Sequence, residues 1–182
     1  MSEVSVRYGS VANGFTARVL DVAPDQWSLT TPCSEWTVRD LVAHVITTQR
    51  RVLATVEGGE AMELDPDEDL TRAWAAASGA VMDAVADPET ASKTVSGMAG
   101  EQPFESLVGR LVCADTLVHT WDLARAIGRD EALDPDAVAH CAEFLGPLDE
   151  AIRRPGGFAE KVESPSDADE QSRFLNFCGR AV

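Results

Sequence analysis

Residues 104–128 read Phe-Glu-Ser-Leu-Val-Gly-Arg-Leu-Val-Cys-Ala-Asp-Thr-Leu-Val-His-Thr-Trp-Asp-Leu-Ala-Arg-Ala-Ile-Gly, and this stretch decides the fold. At about 100° per residue, Phe104, Leu107, Val108 and Leu111 define one apolar face, so a long helix is predicted. Gly128 stands where a glycine favours the end of a helix, which sets the span at 104–127. The continuation of that face is anomalous. Asp115, Val118, His119, Asp122 and Ala126 follow on the same stripe, placing two carboxylates and an imidazole where a core asks for Leu or Val. An unpaired buried carboxylate costs several kcal/mol or is forced to protonate, so a cation or hydrogen-bond donors must face these groups.

The remaining chain reads as further helices around this one. Val11, Phe15, Val19 and Val22 recur at helical spacing over 5–22, with Pro24 as the limit. Thr37 and Asp40 resemble a capping box ahead of the stripe Val38, Leu41, Val42, Val45, Val52, Leu53 and Val56, giving a helix over 37–57. The acidic stretch 60–69 reads as a loop. Leu70, Trp74, Ala77, Val81 and Val85 then mark a third helix that ends near Asp87-Pro88. Residues 89–103 form a long connection in which 93–98 can be extended. Asp134 as N-cap and Pro135 at the first helical position open a fifth helix carrying Val138, Cys141, Leu145, Leu148 and Ile152, broken by Pro155-Gly156-Gly157. Asp167 and Glu170 suggest the start of a last short helix with Phe174, Leu175, Phe177 and Cys178. The expected fold is all-α: a four-helix bundle with an additional C-terminal helix, in one domain over 1–182 with 155–182 as a docked tail.

Composition narrows the function classes. Acidic side chains number 31 against 15 basic ones, a formal charge of −16. Apart from Arg50-Arg51 and Arg153-Arg154 the cations are scattered, which argues against nucleic-acid binding because phosphate contacts need a cationic patch. No segment has the length and apolar content of a membrane span, and the N-terminus lacks the basic and apolar regions of a leader, so a cytoplasmic protein is expected. Cys33, Cys113, Cys141 and Cys178 are widely spaced without a Cys-x-x-Cys pair and read as reduced thiols. Trp27, Trp36, Trp74 and Trp121 read as packing residues. His140, opposite the apolar stripe of its helix, reads as solvated. Phosphate loops, serine-nucleophile elbows and His-Glu-x-x-His motifs are absent.

The polar groups on the long helix point to a metal site. Asp115 and His119, at i and i+4, make a two-ligand clamp for an ion held between helices, and His44 at the edge of the second helix's stripe supplies a third donor. Three such ligands leave one position of a zinc ion open, the arrangement of reactive sites. A hydrogen-bonded Asp115–His119 pair without an ion stands beside that reading.

The segments 32–44, Pro-Cys-Ser-Glu-Trp-Thr-Val-Arg-Asp-Leu-Val-Ala-His, and 115–126, Asp-Thr-Leu-Val-His-Thr-Trp-Asp-Leu-Ala-Arg-Ala, resemble the DinB-like metal-binding proteins of actinobacteria, the group related to mycothiol-dependent maleylpyruvate isomerase. Gly156-Gly157-Phe158 and the stretch from Phe174 to Arg180 extend the resemblance through the tail. It implies a DinB-like four-helix fold whose ion, zinc first and nickel, iron or manganese as alternatives, is bound by His44, Asp115 and His119. The acid of this set is typically Glu in the isomerase and is Asp115 here. The resemblance further implies mycothiol as co-substrate, together with an electrophilic small molecule, in a thiol S-transferase or isomerase-like reaction. Asp122 then stands behind the ligands, accepting from a ligand imidazole or from Arg125. A non-catalytic metal-binding or stress-associated protein is the alternative function, and the bundle is compatible with a homodimer.

Overall fold

The computed structural model describes residues 2–33, 36–97, 100–153 and 157–182. Ser34-Glu35, Met98, Arg154 and the expected break at Pro155-Gly156 lie outside the described residues. The chain is mostly α-helical. Its contacts divide it into two compact units, 1–131 and 132–182.

In the first unit, α1 (Glu3–Leu20) is capped by Ser2, whose side chain accepts from the Ser5 N–H, and it buries Tyr8, Val11, Phe15 and Val19. Helix α2 (Val38–Glu57) starts with the full capping box: the Thr37 side chain takes the Asp40 N–H and the Asp40 carboxylate takes the Thr37 N–H. Two of the helix's first N–H groups would otherwise lack partners. Helix α3 (Leu70–Ala86) is capped by Asp69. The long connection is more ordered than its glycines suggest: a single turn α4 (Pro88–Ala91) is followed by an antiparallel hairpin of β1 (Thr94–Gly97) and β2 (Gly100–Pro103).

The decisive helix runs through three pieces without a break: α5 (Phe104–Leu107), a π-helical turn (Val108–Val112) and α6 (Cys113–Ile127), all with helical backbone angles at the joins. A straight projection puts Leu111 on the buried face. The π turn carries more residues per turn than an α-helix, so the face slips by one position: Val112 is fully buried and Leu111 only partly. Gly128, at φ 67°, supplies the left-handed residue that ends α6.

Helix α1 packs on α6 and α3, and α2 packs on α3 and α6. Between them lies an apolar core that includes Phe15, Leu41, Ile46, Trp74, Phe104 and Leu117. A buried polar chain crosses this core. The Tyr8 hydroxyl donates to Gln49 Oε1 at 3.0 Å and Gln49 Nε2 donates to Thr116 Oγ1 at 3.1 Å, so α1, α2 and α6 are tied in one register. No described helix is long and apolar enough to cross a membrane.

The second unit holds the fifth helix and the tail that follows it. Helix α7 (Pro135–Leu145) starts as the Asp134-Pro135 pair requires. It stops short of Ile152, because Pro147 has no N–H to continue the ladder; a 3-10 turn (Gly146–Leu148) and α8 (Asp149–Ile152) follow. His140 is half-buried rather than solvated. Helix α9 (Glu170–Phe177) packs on α7 and is capped by Asp169, whose carboxylate takes the Ser172 N–H, so Asp167 is not the cap.

Replacing Gln49 by Ala leaves the Thr116 hydroxyl without its buried donor and should destabilise the fold by about 1–3 kcal/mol. Denaturant unfolding measures this; a loss within about 0.5 kcal/mol, the range of an ordinary surface substitution, would show that the polar chain does not hold the register.

Candidate metal centre

Helix α6 carries three of the polar groups that the sequence singled out, and α2 brings the fourth. Asp115, His119 and Asp122 fall on one face of α6 because their spacings, four and three residues, match the helical turn. Asp122 is fully buried and His119 nearly so. Their contact is specific: His119 Nδ1 lies 2.9 Å from Asp122 Oδ2. With Nδ1 donating to that carboxylate, Nε2 of His119 turns toward Asp115 Oδ1 at 3.6 Å.

From α2, His44 Nε2 approaches the same Asp115 oxygen at 3.0 Å, across 71 residues of chain. The two imidazole rings meet edge to face with centroids 5.0 Å apart. One donor atom from each of His44, Asp115 and His119 lies within 4.8 Å of the others. Two imidazole nitrogens and one carboxylate oxygen suit zinc and other first-row divalent ions, so the donor chemistry fits the metal that the sequence calls for.

The Asp122 carboxylate thus meets the His119 imidazole. The Arg125 guanidinium forks onto Glu131 at 3.0 and 2.7 Å and stacks 4.3 Å above the Trp121 ring. Cys113, two residues before Asp115, is buried and bears electrostatically on the Tyr8 hydroxyl, which burial pushes far up.

Two residues at this centre escape the sequence reading. Trp36 places its indole 4.7 Å from the His44 ring and 5.7 Å from the His119 ring. Cys33 has its sulfur within 4.8 Å of donor atoms on both His119 and Asp122, a second group able to hold an ion. Both sit on the turn that leads into α2. That turn is fixed by the Thr31 N–H on the Trp36 carbonyl, the Trp36 N–H on the Cys33 carbonyl and the Val38 N–H on the Leu29 carbonyl. Neither residue falls on a helical stripe, so periodicity carries no signal for them. A cavity of about 540 Å³ opens beside His44, walled by α2, residues 63–66 and the start of α3.

Burial opposes the charged form of His119. The Asp115 charge, the hydrogen bonds to Asp122 and Cys33 and the Asp122 charge outweigh it and push the imidazole pKa up to about 10.

Together these features define a mostly helical domain in which two helices bring a His, Asp, His donor set together. Residues 9–124 match the mycothiol maleylpyruvate isomerase N-terminal domain family, and the chain belongs to that family. The match lies inside the first compact unit and includes all three donors. Two relatives come from Mycobacterium tuberculosis, one from strain CDC 1551 / Oshkosh and one from strain ATCC 25618 / H37Rv, each described only as an uncharacterized protein. Each is 33% identical over 172 residues, covering 93% of this chain and 93% of the relative. No solved structure matches the chain.

In the chelated protein, His119 should hold its proton to about pH 10, as followed by its imidazole NMR shifts, and Asp115→Asn should lower that value. Because the folded pKa is raised above the ordinary 6.5, the associated stability is fully present below pH 6.5 and is lost as pH rises toward 10. A titration near 6.5 would contradict this electrostatic account.

Proposed function

We propose that this chain is a divalent-metal protein of the cytoplasm, a DinB-like four-helix bundle in which His44, Asp115 and His119 hold one ion, zinc by preference. The observation that carries the reading is the convergence of these three side chains from two helices, with the second nitrogen of His119 already occupied by Asp122. The proposed reaction class is a thiol-dependent transfer or isomerisation, with a mycothiol-type thiol and an electrophilic small molecule as substrates. The family's name supports the thiol.

A dipositive ion held by one carboxylate and two neutral imidazoles supplies net positive charge, which stabilises a thiolate and lowers its pKa toward neutrality. The chain's own residues do the rest. His44 and His119 bind through Nε2, and Asp115, one methylene shorter than Glu, binds close to its helix. Asp122 retains the Nδ1 proton of His119, so that Nε2 is the nitrogen left for ligation and the ring cannot rotate. Trp36 covers the His44 ring and limits water on that side. His44, with about a third of its side chain exposed, marks the side from which a substrate enters.

The 3.0 Å contact of His44 with Asp115 and the 2.9 Å contact of His119 with Asp122 also support a second reading, a metal-free hydrogen-bond network. Elemental analysis separates the two. The purified protein should carry about one equivalent of metal, and chelation should lower its melting temperature, because an ion that binds only the folded state stabilises it by mass action. His119→Ala should lose the ion, while Asp122→Asn should weaken binding by about 10–100-fold. A stoichiometric ion retained by His119→Ala would overturn the assignment. A melting temperature unchanged by exhaustive chelation would favour the network.

A further inference from the structure

Cys33 brings sulfur to a centre whose other donors are nitrogen and oxygen. It comes from the turn ahead of α2, where its carbonyl accepts from the Trp36 N–H at 3.1 Å and from the Thr31 hydroxyl at 3.1 Å. These bonds hold the backbone next to the thiol, and the sulfur lies within 4.8 Å of donor atoms on His119 and Asp122. Asp122 is fully buried, His119 nearly so and Cys33 half-buried. Cys113, Cys141 and Cys178 are buried, which leaves Cys33 as the thiol that an ion from solvent reaches most readily.

This donor set differs in kind from that of His44, Asp115 and His119. A thiolate with one imidazole and one carboxylate favours a soft, thiophilic cation, whereas two imidazoles and a carboxylate favour a borderline one. Entry also has a different cost. An ion joining Cys33, His119 and Asp122 must replace the buried 2.9 Å contact between His119 and Asp122, while the 3.0 Å contact of His44 with Asp115 that the first set gives up is only partly buried. Only an ion that gains strongly from sulfur offsets the larger loss. His119 belongs to both sets. If it ligates through Nε2, the nitrogen that the first set needs is consumed; if through Nδ1, the hydrogen bond that aims Nε2 at Asp115 is lost. On either nitrogen the two sets compete.

We propose that Cys33, His119 and Asp122 form a second cation site, selective for thiophilic divalent ions, whose occupation empties the centre of His44, Asp115 and His119. The sulfur ligation stands independently of the zinc reading above; the emptying rests on it. Binding exchanges the Cys33 thiol proton for the ion and changes no oxidation state.

The test adds cadmium(II) to the full chain, first metal-free and then loaded with zinc. Sulfur-to-cadmium charge-transfer absorption reports ligation by a thiolate, and elemental analysis after gel filtration reports the zinc that remains. The metal-free chain should develop the band to saturation at about one equivalent of cadmium, and the zinc-loaded chain should develop the same band while losing its zinc. Cys33→Ser, checked for folding by circular dichroism, should lose the band. His44→Ala, which removes a donor from the first set alone, should keep it. No band in the unmodified metal-free chain, or a band that survives Cys33→Ser, would overturn the second site. A saturated band with all the zinc retained would overturn the competition. A band that depends on Cys33 in a chain that takes up no zinc would overturn the zinc reading while upholding the sulfur site.

Discussion

The Asp122 carboxylate sits fully buried on α6, and its partner within the same helix is His119. A carboxylate in that position is tolerated because an imidazole N–H satisfies it, and the imidazole is tolerated because two carboxylates flank it. The pair fixes more than its own energy. Once Nδ1 is committed to Asp122, Nε2 has one direction left, toward Asp115, and the site's geometry follows from that orientation.

The second half of the site depends on how α2 lies against α6. Gln49 and Thr116 join the two helices by a buried hydrogen bond, and each is close in sequence to a donor: Gln49 lies five residues after His44 and Thr116 one after Asp115. Sliding α2 by one turn would move His44 by about 5.4 Å and remove it from Asp115. The capping box fixes where α2 starts, and the turn before it carries Cys33 and Trp36 to the same centre. Loop, cap and buried amide thus act on one distance, the 3.0 Å between His44 and Asp115. With Cys33 brought in by that turn, the centre has two candidate donor groups sharing His119, one with His44 and Asp115 and one with Cys33 and Asp122.

Much of this was legible in the sequence because helices repeat. The anomaly of Asp115, His119 and Asp122 on an apolar stripe is a statement about burial, and the buried pair on α6 bears it out. Thr37 and Asp40 announced the start of α2 by a local pattern with a local physical cause. His44 was different: its place at the edge of a stripe left a bland alternative, and only resemblance pointed to the cluster that the fold brings together. What escaped was whatever lacks a period. The π turn shifted the buried face from Leu111 to Val112, a slip that no fixed 100° projection registers. Strand β1 falls within the extended piece read over 93–98, whereas its partner β2, which carries Gly100 and Pro103, was not legible. Pro147 ended α7 early, although the apolar positions continue in register to Ile152. Cys33 and Trp36 reach the centre through a turn held by backbone hydrogen bonds.

The central claim is that a single ion is bound through two imidazole nitrogens and one carboxylate oxygen. X-ray absorption at the zinc edge of the purified, thiol-free protein tests it most directly. The account predicts multiple scattering from two imidazoles with Zn–N at about 2.0–2.1 Å, a carboxylate oxygen at similar distance and no sulfur shell. A sulfur shell at about 2.3 Å would place the ion on Cys33 instead, and a coordination sphere without imidazole scattering would contradict the site altogether.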